Sequence, residues 1–144
     1  MPDGTLTRRE HVMAGRRPLQ PFAPSHIRED ARGWFVEVVN AGPWETVISA
    51  AMRAGAILGN HYHRRTRILL YLVTGSAEVH VVRLADEGRR TCRLRGREAI
   101  LLETDEAHAI RFVEDSTVLL LKSQRYAPED PDTYPFDVLS PAAR

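Results

Sequence analysis

Apolar residues along this chain form short runs that polar and turn-forming residues interrupt. Residues 34–39, for example, are rich in β-formers, and residues 40–43 follow them as a turn. In no segment do apolar residues keep the 3.6-residue period of an amphipathic helix over about ten positions. The pattern predicts strands over residues 34–39, 44–52, 56–63, 68–73, 77–84, 91–94, 98–103, 108–113 and 118–122. Short strands separated by turns every 8–12 residues or so are typical of an all-β sandwich or barrel.

The length and the distribution of these patterns predict one folded domain. A chain of 144 residues suits a single domain with one hydrophobic core. Residues 1–17 are polar and carry no periodic pattern, so we expect a flexible N-terminal arm there. Residues 18–144 are then expected to form the domain, with an irregular tail that contains Pro128, Pro131 and Pro135.

Composition argues against several classes of partner. Lysine and arginine number 20 and aspartate and glutamate 19, so the formal net charge of +1 gives no general attraction to nucleic acid or to anionic membranes. No run approaches the roughly 18 apolar residues of a membrane span, and residues 1–20 lack the apolar block of a signal peptide. We therefore expect a cytoplasmic protein whose partner is a small molecule.

Two histidines that are two positions apart indicate a chemical site. His61 and His63 lie in a predicted strand, where side chains at i and i+2 point to the same face. Two imidazoles inside a barrel are costly unless something binds them, and a metal ion can use both neutral nitrogens. Because such pairs also occur by chance on surfaces, the spacing alone leaves both interpretations open.

The residues around this pair resemble the first cupin motif. Gly55 precedes His61 by a gap of five residues, and Gly75 follows His63 after eleven, as in that motif. Of the second cupin motif only the histidine is present, at His108. The resemblance implies a cupin jelly roll, a double-stranded β-helix, in which the three histidines bind one divalent metal ion. Zinc, iron, nickel and manganese all suit imidazole ligands, and a metal-free polar pocket is the alternative.

One ligand position of the cupin motif is changed in this chain. Ile68 stands where cupins usually supply a glutamate ligand, and an alkyl side chain cannot coordinate a metal. Three neutral histidines would leave the ion its full charge and keep positions open for water or substrate. Glu103 could substitute from another strand, although a solvated carboxylate in a turn is the simpler interpretation.

Three further segments resemble sugar-modifying cupins more closely. Residues 30–37, DARGWFVE, resemble the D-x-RG-x-F-x-E element of the dTDP-4-dehydrorhamnose 3,5-epimerase family. Residues 59–63, GNHYH, and residues 131–134, PDTY, resemble the C-terminal cupin domain of the CapF family of capsular-polysaccharide reductase/epimerases. The resemblance covers roughly residues 28–138, which is nearly the whole predicted domain.

This resemblance implies epimerisation next to the ketone of a nucleotide-linked 4-keto-6-deoxy sugar. Such chemistry needs a base for the α-proton, a cation or donor for the enolate oxygen, and an acid that returns the proton. The metal ion could hold the enolate, and the candidates for base and acid are His80, Tyr71 and Glu103. By the same resemblance, the bidentate fork of Arg32 would contact a phosphate or sugar oxygen; a structural arginine that closes a turn is the alternative.

Two other functions remain open at this point. Ile68, Leu70 and Leu72 are expected to face inward beside the histidines, which favours an apolar substrate pocket and places Tyr71 on the opposite face. Such a pocket is typical of a natural-product tailoring enzyme, for example a cyclase, dehydratase or oxygenase acting on a polyketide-like substrate. A non-catalytic small-molecule binding protein is the third possibility.

We also expect a homodimer. Small jelly rolls leave strand edges that need covering, and apolar residues at Trp34 and Phe35 could extend a sheet across a two-fold axis. The alternative is that both aromatic side chains belong to the core.

Overall fold

Strands make up all the regular secondary structure of residues 18–140, the part of the chain that the computed structural model describes. They are β1 (His26–Asp30), β2 (Gly33–Glu37), β3 (Thr46–Met52), β4 (Ile57–Tyr62), β5 (Ile68–Thr74), β6 (Ser76–Arg83), β7 (Arg89–Arg95), β8 (Glu98–Leu102), β9 (Glu106–Phe112), β10 (Ser116–Lys122) and β11 (Tyr134–Pro135). The arm expected at residues 1–17 lies outside the described residues. Strand β1, with the polar sequence HIRED, was not predicted because it lacks an apolar pattern.

Two antiparallel sheets form the body of the fold. One has the strand order β3-β10-β5-β8 and the other the order β11-β4-β9-β6-β7, while β1 and β2 make a separate hairpin. Most neighbours within each sheet are distant in sequence, so the chain passes repeatedly from one sheet to the other. This is a cupin jelly roll, the fold class that the sequence predicts.

The main hydrophobic core lies between the two sheets. Alternation along β5 sends Ile68, Leu70 and Leu72 into it, where they form one cluster with Val79 and Val81 of β6. These side chains are at most 4% exposed, so they fill the space between the sheets rather than line an open pocket.

The outer faces of both sheets are covered as well. Leu69 and Tyr71, on the other face of β5, pack with Phe22 and Trp44 from the N-terminal part of the described chain. On the five-stranded sheet, the C-terminal segment lies over the outer face, and its Val138 packs against alanines of β9. Burial on both faces explains why β5 is a continuous apolar run and not an alternating one.

The aromatic residues of the β1–β2 hairpin do not belong to this core. Trp34 is 42% exposed and Phe35 51% exposed, and Ile27 beside them is 60% exposed. Arginine side chains cover their ring faces instead, Arg97 over Trp34 and Arg28 over Phe35. The part of the chain that the structure describes contains no helix that is long and apolar enough to cross a membrane.

Candidate metal centre

A β-bulge in β4 turns the two neighbouring histidines toward the interior. In the pairing of β4 with β9, Gly59 lies opposite Ala109 and His61 lies opposite His108, so Asn60 is an extra residue. Leu58, before the bulge, packs in the main core. Strict alternation from Leu58 would send His61 to the outer face, and the extra residue reverses that direction.

The residues at the bulge have the properties that its backbone requires. Gly59 has a φ of +103°, and a Cβ atom there would lie 2.5 Å from the carbonyl oxygen of His108. Asn60 has a φ of +58°, a conformation that asparagine tolerates better than most residues. Its side-chain oxygen accepts a hydrogen bond from the Val138 amide at 3.0 Å, and its carbonyl accepts one from Phe136 at 2.9 Å. The bulge therefore also anchors the C-terminal segment.

Three histidines meet inside the barrel as a result. His61 lies near the end of β4, His63 follows directly after that strand, and His108 comes from β9, where Ile110 continues on the same inward face. One ligand atom from each ring lies within 4.8 Å of the others, and the ring centroids are 4.8, 4.9 and 5.5 Å apart. His63 and His108 are 4% and 3% exposed, whereas His61 is partly buried.

The environment keeps these rings neutral at physiological pH. Burial has the largest effect on His108, and its electrostatic interactions with His61, His63 and Lys122 add to it, so that the pKa of His108 falls to about 3. Burial, followed by electrostatic interactions with His63 and Lys122, lowers the pKa of His61 to about 4. Burial also lowers the pKa of His63, although its hydrogen bond to Asp132 opposes the shift. Neutral imidazole is the form that binds metal ions.

An observation that does not depend on the cupin motif also shows that the three histidines suit a metal ion. His63 Nε2 and His108 Nδ1 are buried without any hydrogen-bond partner, which is costly for a polar atom. The Nδ1–H of His63 donates to the carbonyl oxygen of Asp132 at 2.7 Å, so its Nε2 carries the lone pair. Among residues 18–140 no carboxylate belongs to the cluster. Ile68, at the position where the cupin motif usually has a glutamate ligand, packs in the core instead.

A small cavity of about 100 Å³ adjoins His63. Its lining is polar and rich in basic side chains, and it includes the chain's single lysine, Lys122. The lining residues other than His63 are Arg65, Thr66, Lys122, Gln124, Arg125, Tyr126, Ala127, Asp130, Pro131 and Asp132. This polar lining differs from the apolar pocket that the sequence predicts from Ile68, Leu70 and Leu72.

Two of the candidate catalytic residues lie on outer faces. His80 sits between Val79 and Val81, which both face the core, so its ring points outward. There its Nε2–H donates to Glu78 at 3.2 Å and its Nδ1 is 3.3 Å from the Thr91 hydroxyl. Tyr71 is buried on the outer face of the four-stranded sheet, as alternation along β5 requires. The structure therefore brings neither side chain to the histidine cluster.

The other candidates are also engaged elsewhere. Glu103 accepts two hydrogen bonds from the guanidinium of Arg67, both at 3.0 Å. Arg32 is highly exposed in the turn between β1 and β2, and its fork bonds Asp30 at 2.7 and 3.2 Å. Ile68 and Leu70, considered for substrate contact, fill the core. None of these residues lines the cavity beside His63.

Sequence reasoning missed two residues of this site, Lys122 and Asp132. Lys122 could have been found, because Leu120 faces the core and a residue two positions further along β10 points the same way. Asp132 had no local signal apart from the short PDTY resemblance. Its contact with His63 joins positions that are 69 residues apart.

A comparison with known protein families shows which family the chain belongs to. The family model described as "Polysaccharide biosynthesis C-terminal domain" matches residues 28–134. The chain belongs to this family. The matched region runs from β1 to β11 and contains all three histidines of the cluster. No curated protein matches the chain.

Solved structures share the fold of this polysaccharide-biosynthesis domain at low sequence identity. The capsular polysaccharide assembling protein CapF from Staphylococcus aureus matches with a TM-score of 0.63 and 21% identity, over 78% of this chain and 34% of that chain. The dTDP-4-dehydrorhamnose 3,5-epimerase from Bacillus anthracis matches with a TM-score of 0.64 and 18% identity, over 85% of both chains. The Mycobacterium tuberculosis rmlC epimerase matches with a TM-score of 0.64 and 23% identity, over 77% of this chain and 64% of that chain. The chain thus spans about a third of the length of CapF.

Proposed function

We propose that this domain is an epimerase or isomerase that acts next to the carbonyl of a nucleotide-linked keto-deoxysugar. We further propose that His61, His63 and His108 bind one divalent ion, which could be zinc, iron, nickel or manganese. The observation that carries the proposal is the buried cluster of three neutral imidazoles with two unpartnered ring nitrogens. The fold shared with two epimerases and with CapF supports the choice of reaction.

The charges around the cavity suit a reaction that passes through an anion. When the α-proton leaves, negative charge develops on the carbonyl oxygen, and a metal ion on the histidines would supply Lewis-acid stabilisation of that charge. The ammonium group of Lys122 lines the same cavity as His63. A bound cation and Lys122 repel each other unless an anion lies between them, so the cavity favours the enolate over the neutral ketone.

The cavity size indicates how such a substrate would bind. At about 100 Å³ it is smaller than the 300 Å³ or more that is usual for a small-molecule site, so it would take only the reacting part of the sugar. Arg125 and Tyr126 line the cavity and are exposed, which suits contact with the phosphates and the nucleotide outside it. Arg65 is held by Asp130 at 2.8 Å and is less suited to that contact.

The polar lining favours this function over the tailoring enzyme. That alternative needs an open apolar pocket beside the histidines, but Ile68, Leu70 and Leu72 are packed in the core. A non-catalytic binding protein would bind the metal ion without turnover, which makes it an outcome of the test below.

A homodimer formed through the hairpin is part of the proposal. Ile27, Trp34 and Phe35 are all exposed on a two-stranded sheet, with Trp34 and Phe35 on its opposite faces, and isolated two-stranded sheets are marginally stable in water. A second copy that packs on these side chains would stabilise the hairpin. Light scattering on a chromatography column should give the mass of two chains for the wild type and of one for Trp34→Ser, Phe35→Ser.

The experiment combines metal analysis with proton exchange. The purified protein is analysed for bound metal and then incubated in D₂O with dTDP- and UDP-linked 4-keto-6-deoxy sugars, while NMR follows deuterium entry next to the ketone. We expect about one metal ion per chain and deuterium entry in the wild type, and neither in His61→Ala, His63→Ala. The variant His26→Ala, an exposed histidine on β1, is the matched control and should behave as the wild type.

The possible results separate the alternatives. Metal binding without exchange on any of the sugars would overturn the epimerase proposal and favour a binding protein. A wild type without metal after supplementation would overturn the metal site, and exchange by that metal-free protein would assign the chemistry to the side chains alone.

A further inference from the structure

Asp132 connects the C-terminal segment to the chain that follows β4. Its carboxylate is buried, with the residue 5% exposed, and it accepts backbone hydrogen bonds from Arg64 and Arg65, both at 2.9 Å, and from Thr66 at 3.0 Å. The Thr66 hydroxyl donates a fourth bond at 2.8 Å. Its own carbonyl oxygen accepts the Nδ1–H of His63 at 2.7 Å. One residue therefore holds four consecutive positions, 63 to 66.

His63 depends on this contact more than the other two histidines do. Strand β4 ends at Tyr62, so the backbone of His63 lies outside the strand that positions His61. His108 lies in the middle of β9 and is paired on both sides, with His61 and with Val81. In the part of the chain that the structure describes, the hydrogen bond to Asp132 is the one that orients the His63 ring.

The backbone at Asp132 makes the double contact possible. Its φ of +50° is in the left-handed region, which aspartate and asparagine adopt more readily than other side chains. In this conformation the carboxylate meets the amides of residues 64–66 while the carbonyl meets His63. An alanine at this position would lose the four carboxylate bonds and would also strain the backbone.

We infer that Asp132 is the positioning residue of the metal centre: its carboxylate clamp on residues 64–66 holds its carbonyl against His63, which fixes the tautomer and the direction of His63 Nε2. The inference rests on the metal site of the proposed function. Asp132 itself would touch neither the metal ion nor the substrate, and it would act through the proposed ligand His63. Removing a partner that orients a metal ligand commonly weakens metal affinity by about 10–100-fold.

A purely structural clamp would give a different result. It would lower the melting temperature of the Asp132 variant but leave metal affinity unchanged wherever the variant is still folded. The variant Asp132→Asn separates the two roles, because it keeps the size, the left-handed preference and one acceptor oxygen. In either orientation the asparagine amide replaces one acceptor oxygen with a group that can only donate, so it loses either the bond from Arg64 or the bonds from the Arg65 and Thr66 amides.

The experiment measures zinc and cobalt affinity by competition with a chromophoric chelator, well below the melting temperature of each variant. We expect Asp132→Asn to bind each metal about 10–100-fold more weakly than the wild type, with a changed cobalt absorption spectrum. Asp137→Asn makes the same charge change in the same segment, at an exposed residue that bonds Ser140, and should match the wild type. Folded Asp132→Asn with an affinity within twofold of the wild type would overturn the inference.

Two additions keep the test decisive. If Asp132→Asn does not fold, Thr66→Val removes a single hydroxyl bond to the same carboxylate and should weaken metal binding several-fold; unchanged affinity would overturn the inference. Nitrogen NMR of the metal-free protein reports the His63 tautomer directly. If the wild type binds no metal, the metal proposal fails, and the positioning role is then decided by whether the Nδ1–H tautomer of the wild type is lost in Asp132→Asn.

Discussion

The histidines on the two faces of the five-stranded sheet have different surroundings. On the inner face, His61, His63 and His108 meet one another, and two of their nitrogens have no hydrogen-bond partner. On the outer face, His80 is held by Glu78 and Thr91. The sheet and the residue type are the same, so the difference comes from the groups that surround the histidines on each face. An outer face supplies polar partners and water, whereas an inner face leaves nitrogens that a metal ion can use.

Loss of one inner ligand should give the largest effect. His108 is the proposed ligand from β9, and the two histidines that remain would bind a divalent ion much more weakly than three. We expect His108→Ala to lose at least about 100-fold in zinc affinity, measured by chelator competition. A His108→Ala protein that retains wild-type affinity would show that the metal is bound elsewhere.

The bulge should be the next most sensitive feature, since it determines which face His61 occupies. Gly59→Ala adds a Cβ that overlaps the His108 carbonyl in a left-handed backbone, and we expect it to destabilise the fold by roughly 3 kcal/mol or more. Gly55→Ala is the matched control, because its φ is +87° but nothing lies within 4 Å of the added atom. Gly55→Ala should lower the free energy of unfolding, measured with urea, by about 1–2 kcal/mol. Equal losses in the two variants would mean that steric contact at the bulge is unimportant.

Acid should destabilise the metal-free protein through the inner face. The pKa of His108 is about 3 in the folded chain and about 6.5 when unfolded, so between these values the unfolded chain binds a proton that the folded chain does not. The contribution of His108 to the stability of the fold is therefore fully present above pH 6.5 and is lost progressively as the pH is lowered toward 3. We expect His108 alone to account for about 2 kcal/mol of lost stability at pH 5.

Urea unfolding at pH 7 and pH 5 in the presence of a chelator checks this expectation. His108→Gln has no titrating ring and should lose less stability on acidification than the wild type. The same loss in both proteins would contradict the assignment to His108.

The outer face should give the smallest effect. His80→Ala removes one hydrogen bond to Glu78 and one contact with Thr91 on a side chain that is 24% exposed, so we expect a loss of about 1 kcal/mol. Its metal content and zinc affinity should equal those of the wild type. A loss of metal on this substitution would show that the two faces are coupled, and the contrast between them would not hold.

Much of the fold was accessible from the amino-acid sequence. The predicted strands match β2 to β10 with differences of a few residues at their ends, because short apolar runs and turn residues are local signals. The opposite directions of Ile68 and Tyr71 followed from alternation on β5. The candidate site was less accessible, because base and acid candidates chosen by residue type ended on outer faces or in other ion pairs.

By itself, the sequence determined an all-β jelly roll of the cupin type and an HxH pair with a third histidine on a later strand. Which face each histidine occupies was decided only in the folded protein. The bulge at Asn60 arises from pairing between β4 and β9, and the Asp132 clamp joins residues on either side of most of the domain. Local patterns report the period of a strand, but the partner of a side chain depends on contacts between distant segments, which exist only after the sheets have packed.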